Sequence, residues 1–328
     1  MNALVFGVDN ATGGSVCQSI LNADCFEACV GVDYDAVAQG LYRDGVSPAV
    51  VDRDVFVAET AEIARERDID VVFVGKHDAV TAFATHRDRF EESGMRVAVP
   101  DERVSARLRD KRWVAATFPD LVPSEVRSVG DDPPSPVLVR RRHASIEGTP
   151  EPIDQRRELK QERRSMVEDG CEPYVQRYVP GPVDREYLVG QVYGPDGTLL
   201  GEGSARLLSK GFSFWGKVQV AETTVDDALR ARARAVGEAL DVSGSPLRLL
   251  FKRTPAGEFS LLGVDTRFWE PTYLTAQAGF NAPELLGRAL VDGTRPESDR
   301  FESGVRSTRN TVYNGVARTE IDRLRGTK

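Results

Sequence analysis

Cysteine and histidine are scarce in this chain, which has 4 Cys and 3 His among 328 residues. The cysteines show no CxxC spacing, and Cys25 and Cys29 stand four residues apart without accompanying histidines. A structural zinc site needs closely spaced cysteine or histidine ligands. The sequence therefore disfavours zinc binding and predicts free, mostly buried thiols.

Long apolar runs are also missing. No stretch approaches the ~20 consecutive apolar residues of a transmembrane helix. The first residues, MNALVFGVDN, have neither the basic start nor the long apolar stretch of a secretion signal. We therefore expect a cytoplasmic protein with no membrane partner.

Lysine is rare, whereas arginine and the acidic residues are abundant. The net charge of -8 and the pI near 5.2 argue against nucleic acid as a partner. The composition resembles that of proteins from salt-loving archaea, and GC-rich codon usage explains it equally well. The lysines are Lys76, Lys111, Lys160, Lys210, Lys217, Lys252 and Lys328. Neither explanation of the composition specifies a function.

The remaining composition is that of a folded protein, because 41% of the residues are hydrophobic and 29% are charged. This length allows two or three subdomains with sizeable cores. In the first third of the chain, strands of buried type alternate with helices, which is typical of a doubly wound parallel sheet. The predicted strands span 3–8, 28–32, 70–74 and 97–99, and the predicted helices span 15–21 and 55–66.

The same order of elements occurs in dinucleotide-binding folds. A Gly-rich turn over 7–14 follows the first strand, and Asp33 ends the second. The turn does not match GxGxxG, and Asp9 would place a negative charge near a pyrophosphate. A dinucleotide-dependent oxidoreductase is therefore a lesser alternative.

The most informative stretch is a predicted β-hairpin in the last third of the chain. Apolar runs over 247–251 and 259–264 flank a Pro-Ala-Gly turn. Asp265, Arg267 and Trp269 follow directly, so an acid, a guanidinium and an aromatic stand at a strand exit. Functional sites are often built at such positions.

This arrangement resembles the metal and phosphate end of ATP-grasp ligases, in particular the carbamoyl-phosphate-synthase-like branch. In that family a strand ends in a Glu-x-Asn-Pro-Arg-Phe-type motif, whose carboxylate and amide hold Mg²⁺ and whose arginine faces the ATP phosphates. The aligned residues are Gly263, Asp265, Thr266, Arg267 and Phe268. The resemblance implies Asp265 as a metal ligand, but it leaves no carboxylate at Gly263 or at the first-strand position, which falls near Leu250.

The resemblance implies an α/β protein in which an N-terminal doubly wound parallel sheet precedes an ATP-grasp fold of two α+β subdomains. The implied boundaries are 1–107 for a Rossmann-like domain, 108–175 for a lid subdomain and 176–328 for a C-terminal subdomain with a tail. In the family, the N-terminal domain is a scaffold that often helps to bind the acceptor substrate.

Other elements of the second part are predicted from local patterns. An amphipathic helix is expected from Arg103 to before Pro119, and a second helix over 224–240 with Thr224 as its N-cap. Residues beyond Asp292 are polar and weakly patterned, and no role is assigned to them.

The resemblance also implies a nucleotide site. Lys111 is expected on a helix and Arg140 at the end of a strand, and both cations would bind phosphate. Solvated positions for these two residues are the simpler alternatives. The segment YVQRYVPG resembles the hinge whose backbone lies against adenine, and Glu186 occupies the ribose position. The implied hinge residues are Gln176, Arg177, Tyr178 and Val179.

The function implied is an ATP-dependent carboxylate–amine or carboxylate–thiol ligase that uses ATP and Mg²⁺ and forms an acyl phosphate. Arg267, Lys210 and Arg206 are the implied catalytic residues. Its partners would be a small-molecule carboxylate and a nucleophile, and a homodimer is compatible with the family. The missing carboxylates, together with a lid loop whose only glycine is Gly148, favour a nucleotide- or metabolite-binding protein without catalysis as the main alternative.

Overall fold

The computed structural model describes residues 1–126, 136–143, 151–211, 218–295, 301–309 and 316–326. Its first part is a five-stranded parallel sheet with helices on both faces. The elements are β1 (Asn2–Phe6), α1 (Ala11–Leu21), β2 (Ala28–Asp33), β3 (Val46–Val50), α2 (Phe56–Glu66), β4 (Val71–Val74), α3 (His77–Thr85), α4 (Arg87–Glu91) and β5 (Arg96–Ala98). The strand order is β3-β2-β1-β4-β5, which confirms the predicted doubly wound sheet.

The strand β3 is not predicted from the sequence. Pro48 lies within this strand and interrupts its apolar pattern. Because β3 is an edge strand that pairs only with β2, a proline can be accommodated there without removing a ladder hydrogen bond from the sheet interior.

The second part contains a small sheet and a large one. It begins with α5 (Glu102–Arg109), α6 (Lys111–Thr117), β6 (Val137–Arg141), α7 (Arg156–Glu168) and β7 (Pro173–Arg177), and β6 and β7 form an antiparallel pair that we call the lid sheet. The large sheet has six antiparallel strands in the order β12-β11-β8-β9-β10-β13. Its elements are β8 (Glu186–Tyr193), β9 (Leu199–Lys210), β10 (Val218–Thr223), α8 (Asp227–Leu240), β11 (Ser245–Arg253), β12 (Phe259–Asp265), α9 (Thr272–Gln277), α10 (Ala282–Val291), β13 (Arg306–Thr308) and α11 (Arg318–Gly326).

Two predicted helices have different bounds in the structure. The helix expected from Arg103 is broken at Asp110, whose carboxylate accepts from the backbone N–H groups of Arg112 and Trp113 and so caps α6. The N-cap of α8 is Asp226 rather than Thr224, because the Thr224 N–H donates to the Ser204 carbonyl. In both places an aspartate side chain supplies the acceptor that starts the helix.

The tail after Asp292 takes part in the fold. β13 pairs with β10 and extends the large sheet by one short strand, and α11 lies against β3 of the first sheet. The weak sequence pattern of this region gave no indication of either element.

One hydrophobic core joins the two parts of the molecule. It includes side chains from β1, β4 and α1 together with side chains from β8, β9 and α10. At the junction the rings of Phe73 and Phe268 meet edge-on, with their centroids 5.7 Å apart. Tyr273 N–H donates to the Ser15 hydroxyl at 2.8 Å, which fixes α9 to α1. The first sheet is therefore docked on the large sheet by apolar packing.

The four cysteines are free thiols. Cys17 and Cys29 are buried, whereas Cys25 and Cys171 are partly exposed. Within the described ranges, every helix is too short or too polar to cross a membrane.

Candidate functional site

The side chains of β11 alternate between the two faces of the large sheet. Leu249 and Phe251 pack with α8 in one cluster, whereas Leu250 packs in the core on the opposite face. Because successive side chains of a strand point to opposite faces, Arg248 and Lys252 share the face of Leu250. We call this the cleft face, and β11 presents two cations on it.

Asp265 ends β12 on the cleft face, where it is 5% exposed. Its Oδ2 accepts from Arg267 Nε at 2.7 Å, and His77 Nδ1 of α3 lies 3.3 Å from the same oxygen. Burial would raise the pKa of Asp265, but Arg267, His77 and the nearby Arg248 outweigh burial and hold that pKa below its ordinary value. The Asp265 carboxylate is an anion that cations of the same chain already compensate.

The residues around Asp265 do not fit a protein-held Mg²⁺ site. Mg²⁺ takes oxygen ligands, commonly one or two carboxylates completed by waters and phosphates. Leu250 and Gly263 are register partners beside Asp265 and supply no side-chain oxygen. In the part of the chain that the structure describes, no three His, Cys, Asp or Glu side chains are grouped to hold a metal. The metal-ligand role of Asp265 therefore stays a prediction: in the structure its partners are Arg267 and His77.

Arg248 belongs to this site, although the sequence analysis does not identify it. The strand register places Arg248, rather than Leu250, opposite Asp265. Its Nη1 is buried and has no hydrogen-bond partner among the described residues. Burial and the charge of Arg267 lower the pKa of Arg248 to about 10, so that it stays protonated at neutral pH. Strand register depends on pairing, which the sequence pattern of one strand does not reveal.

Glu186, the predicted ribose ligand, begins β8 on the cleft face. It accepts from Lys210 Nζ at 2.5 Å, and Lys252 Nζ lies 3.6 Å from its other oxygen. Lys252 Nζ is also 5.4 Å from the centroid of the Tyr178 ring. Burial lowers the pKa of Lys252, and the charge of Glu186 opposes this shift. The structure thus brings together Glu186, Lys210 and Tyr178 and adds Lys252, which the alternation along β11 could have indicated.

Arg140 joins the lid sheet to β12. Its Nη1 donates to the Leu262 carbonyl at 3.0 Å and lies 3.5 Å from Gln176 Oε1. Burial lowers the pKa of Arg140 to about 10. Lys111 and Gly263 line the same space, which encloses only about 30 Å³. The solvated position considered for Arg140 is therefore wrong, and three predicted residues, Lys111, Arg140 and Gln176, surround one small cavity.

The predicted hinge is partly engaged within the protein. The Arg177 N–H donates to the Ser124 carbonyl, and the Tyr178 N–H donates to the Pro136 carbonyl. Val179 is buried. The N–H groups of Arg177 and Tyr178 are thus already bonded within the chain, and the contact of the hinge with adenine stays a prediction.

Arg206 lies apart from the other predicted catalytic residues. It pairs in register with Tyr187, whose side chain packs in the cluster with α8. Residues directly opposite in an antiparallel pair share a face, so Arg206 is on the reverse side of the sheet from Glu186. The catalytic role of Arg206 stays a prediction, although Arg206 and Glu186 lie on opposite faces of the sheet.

Ion pairs fix the lid sheet to α6 next to Lys111. Arg142 donates to Asp110 at 2.6 Å and to Glu172 at 3.0 Å. Arg112 donates to Glu125 at 2.7 Å and also to Glu172. The backbone N–H of Lys111 donates to the Arg142 carbonyl. The lid loop with Gly148 falls in residues 144–150, outside the described residues.

A larger cavity of about 580 Å³ lies between the first sheet and the large sheet. On one side are the turn after β1, the beginning of α1 and Arg43, whose Nη1 donates to Gln18 Oε1 at 2.5 Å. On the other side are β10, β13 and the segment after Arg267, which contributes Glu270 and Tyr273. The cavity is thus next to the Asp265–Arg267 pair and carries both charged and polar groups.

Comparisons with known proteins give no family model that matches the sequence and no match among curated proteins. Solved structures do match over most of the chain. The biotin carboxylase–beta-gamma-ATP complex of Campylobacter jejuni is 13% identical, with a TM-score of 0.67 over 90% of this chain and 72% of that one. The chain has the ATP-grasp fold.

Two further structures with the ATP-grasp fold have similar scores. The L-amino acid ligase of Bacillus licheniformis is 14% identical, with a TM-score of 0.60 over 88% of this chain and 74% of that one. The biotin carboxylase domain dimer of the Hydrogenobacter thermophilus 2-oxoglutarate carboxylase, in complex with MgADP, ADP and bicarbonate, is 13% identical, with a TM-score of 0.66 over 90% and 70%. At these identities the likeness concerns the fold.

The ATP-grasp fold explains the Rossmann-like order of the first sheet without a dinucleotide. Asp33 is 2% exposed and accepts from Lys76 Nζ at 2.8 Å and from the Asp9 N–H at 3.1 Å. Asn10 caps α1 with its own side chain. Because Asp33 and the beginning of α1 are occupied by groups of the same chain, the geometry disfavours the oxidoreductase alternative.

Proposed function

We propose that this protein is an ATP-dependent ligase that activates a carboxylate as an acyl phosphate. The observation that supports this most is the group of cations on the cleft face of an ATP-grasp fold: Lys252 and Arg248 lie on β11, and Arg267 follows β12 and pairs with Asp265 opposite Arg248. Lys111 and Arg140 line the small cavity beside β12. The likeness to a biotin carboxylase–ATP complex and to an L-amino acid ligase supports the same class of reaction.

In this proposal the nucleotide binds between the lid sheet and the cleft face. Tyr178, Val179 and Glu186 lie at the base and ribose end, and Arg140 and Lys111 contact the phosphates. A carboxylate oxygen attacks the terminal phosphoryl group, ADP leaves, and an amine or thiol then displaces phosphate and loses its proton. Arg267 stabilises negative charge on the transferring group. No step is assigned to Mg²⁺, because the protein side chains do not fit it.

The acceptor would occupy the 580 Å³ cavity. Arg43 and Arg309 line it and suit a carboxylate, and Tyr273 and Gln219 offer neutral hydrogen-bonding groups. Glu270 and Pro271, which follow Arg267 closely in the chain, line this cavity. A small-molecule carboxylate held there would lie close to the Arg267 end of the group of cations.

We also propose the three-part domain division, membership of the carbamoyl-phosphate-synthase-like branch, a cytoplasmic location and a homodimer. The dimer is suggested only by the Hydrogenobacter domain, which was solved as one. Light scattering on the purified chain would give its oligomeric state.

The ligase proposal is tested by ADP release from the purified protein with ATP and a panel of amino acids, with and without added amines or thiols. We expect release that requires both an acid and a nucleophile, and that is lost in Arg267→Ala but kept in Arg65→Gln, an exposed position of α2. Nucleotide binding without ADP release for any acid would overturn the ligase proposal.

A second candidate function is nucleotide binding without turnover. Leu250 and Gly263 are its specific support, because these neighbouring positions of the cleft face carry no carboxylate. This candidate predicts measurable ATP affinity and no ADP release. Absence of any nucleotide binding would exclude both functions.

A further inference from the structure

Two buried hydrogen-bond donors on the cleft face have no acceptor in the described ranges: Nη1 of Arg248 and Nε1 of Trp269. Buried polar groups in native proteins are nearly always bonded, so each exception needs an explanation such as a water or a ligand. Both groups donate and neither accepts. The acceptor that they lack must therefore be an oxygen from outside the described chain.

The two donors flank the same backbone position. Gly190 of β8 is the register partner of Arg248. The Trp269 ring lies directly on Gly190, where an added Cβ would come within 2.4 Å of the indole Cε2. Because Cε2 is bonded to Nε1, the indole N–H lies close to Gly190, which is the register partner of Arg248 on the neighbouring strand.

Packing fixes the Trp269 ring in this orientation. Its ring stacks on Phe280, with the planes 8° apart and the centroids 5.9 Å apart. Phe268 packs against it at 6.1 Å. Trp269 itself is fully buried. The indole N–H therefore cannot turn toward another acceptor without disturbing the core.

The carboxylates around Arg248 are engaged elsewhere. Asp265 accepts from Arg267, Glu270 accepts from the Val218 N–H at 2.7 Å, and Glu186 accepts from Lys210. Arg248 has no carboxylate within ion-pair distance among the residues that are described. Its guanidinium is therefore a fixed positive charge that still has hydrogen bonds to give, opposite the position predicted for a metal ligand.

We propose that Arg248 and Trp269 bind the terminal phosphate oxygens of a nucleotide in place of a divalent cation, so that this protein binds nucleotides without Mg²⁺. The proposal rests on the nucleotide site of the proposed function and specifies how its phosphate end is recognised. A guanidinium matches phosphate geometry and keeps its charge, as this role requires. Arg248 remains partly exposed, which leaves a way for a phosphate to reach it.

The test is isothermal titration calorimetry with adenosine, ATP and tripolyphosphate, each in EDTA and in Mg²⁺. For the wild type we expect ATP and tripolyphosphate to bind in EDTA, with affinities that Mg²⁺ changes by less than about threefold. Arg248→Met should weaken both by about tenfold or more in EDTA and leave adenosine binding unchanged. Trp269→Phe keeps an aromatic ring and loses the indole N–H donor, so we expect about threefold weaker binding.

Arg248→Lys and Arg65→Gln are the matched variants. Arg248→Lys keeps the charge without the planar fork and should fall between wild type and Arg248→Met, whereas Arg65→Gln, at an exposed position of α2, should bind as wild type. ATP binding that requires Mg²⁺, or equal affinity of Arg248→Met and wild type in EDTA, would overturn the inference and assign a water to the two donors. An effect of Arg248→Met on acceptor acids but not on ATP would overturn it as well.

These outcomes are separate from those of the ligase proposal. ADP release by an enzyme that binds ATP only with Mg²⁺ would overturn the inference and support the ligase proposal. Mg²⁺-independent binding without ADP release would do the reverse.

Discussion

Asp265 lies where β12 of the large sheet meets α3 of the first sheet, and its carboxylate pairs with Arg267 and His77. Removing one partner of a buried ion pair leaves the other charge uncompensated, which costs more than the pair contributes as a whole. At the scale of single residues, Asp265 is thus a structural counter-ion for Arg267.

We expect Asp265→Asn to lower the free energy of unfolding at pH 7 by about 3 kcal/mol, because it leaves buried guanidinium charge unpaired. The folded-state pKa of Asp265 is lowered, so its contribution is complete above the unfolded value of about 3.9 and is lost as pH falls toward the folded value. Urea unfolding at several pH values should therefore show the variant and wild-type curves approaching each other below about pH 4.

Glu62→Gln is a suitable control for that experiment, since Glu62 forms an exposed pair with Arg65. It should change stability by less than about 0.5 kcal/mol. A constant difference between wild type and Asp265→Asn down to pH 3 would show that Asp265 does not titrate below its ordinary range.

At the scale of elements, the lid sheet is attached to α6 by the pairs of Arg142 with Asp110 and Glu172. The sheet has only two strands, and its own hydrophobic cluster is small, with buried members Val137, Val139, Leu159 and Val175. A two-stranded sheet is marginal without packing against another element. The ion pairs therefore contribute much of the interaction that attaches the lid sheet to α6.

We expect Arg142→Ala to increase amide hydrogen exchange in β6, β7 and the start of α6, with little change in the large sheet, because local opening no longer breaks these pairs. Arg141→Ala is the matched control, since Arg141 is the exposed neighbour on the same strand. Hydrogen exchange with mass spectrometry resolves these segments. Equal exchange in the two variants would show that the pairs do not hold the lid sheet.

The elements that the sequence predicts correctly depend on local signals. The hairpin of β11 and β12 follows from apolar runs and a Pro-Ala-Gly turn, all of which are contiguous in the chain. The break at Asp110 is not predicted, although its cap is local, because Asp110 lies within a continuous helical pattern and its carboxylate also accepts from Arg142, which is 32 residues away. Arg248 and Lys252 are missed for a related reason: a strand's own pattern gives its two faces but not which neighbour lies across from each residue.

At the scale of the whole molecule, the shared core couples the parallel and antiparallel sheets. Phe73 is fully buried and touches Phe26 on its own side and Phe268 across the junction. Such a core makes independent movement of the two sheets costly, since any separation exposes aromatic surface. The cavity between the sheets therefore has walls in fixed positions.

We expect Phe73→Ala to lower stability by about 3–5 kcal/mol and to shift the unfolding of both sheets together. Tryptophan fluorescence reports only the second part, because Trp113, Trp215 and Trp269 all follow the first sheet in sequence. The urea midpoint of unfolding that fluorescence reports should fall in Phe73→Ala. It should stay unchanged in Val37→Ala, because Val37 is exposed. An unchanged fluorescence midpoint in Phe73→Ala would show that the sheets unfold independently.

The bond between Arg140 and the Leu262 carbonyl also affects how fast a nucleotide can bind. With only about 30 Å³ between the lid sheet and β12, a nucleotide that binds there has to wait until this contact opens. Its apparent affinity is the intrinsic affinity reduced by the open fraction. In a stopped-flow experiment, the association rate would level off at the opening rate as the nucleotide concentration rises. The opening rate would then set a lower limit on the response time of the protein, whatever the cellular level of its ligand.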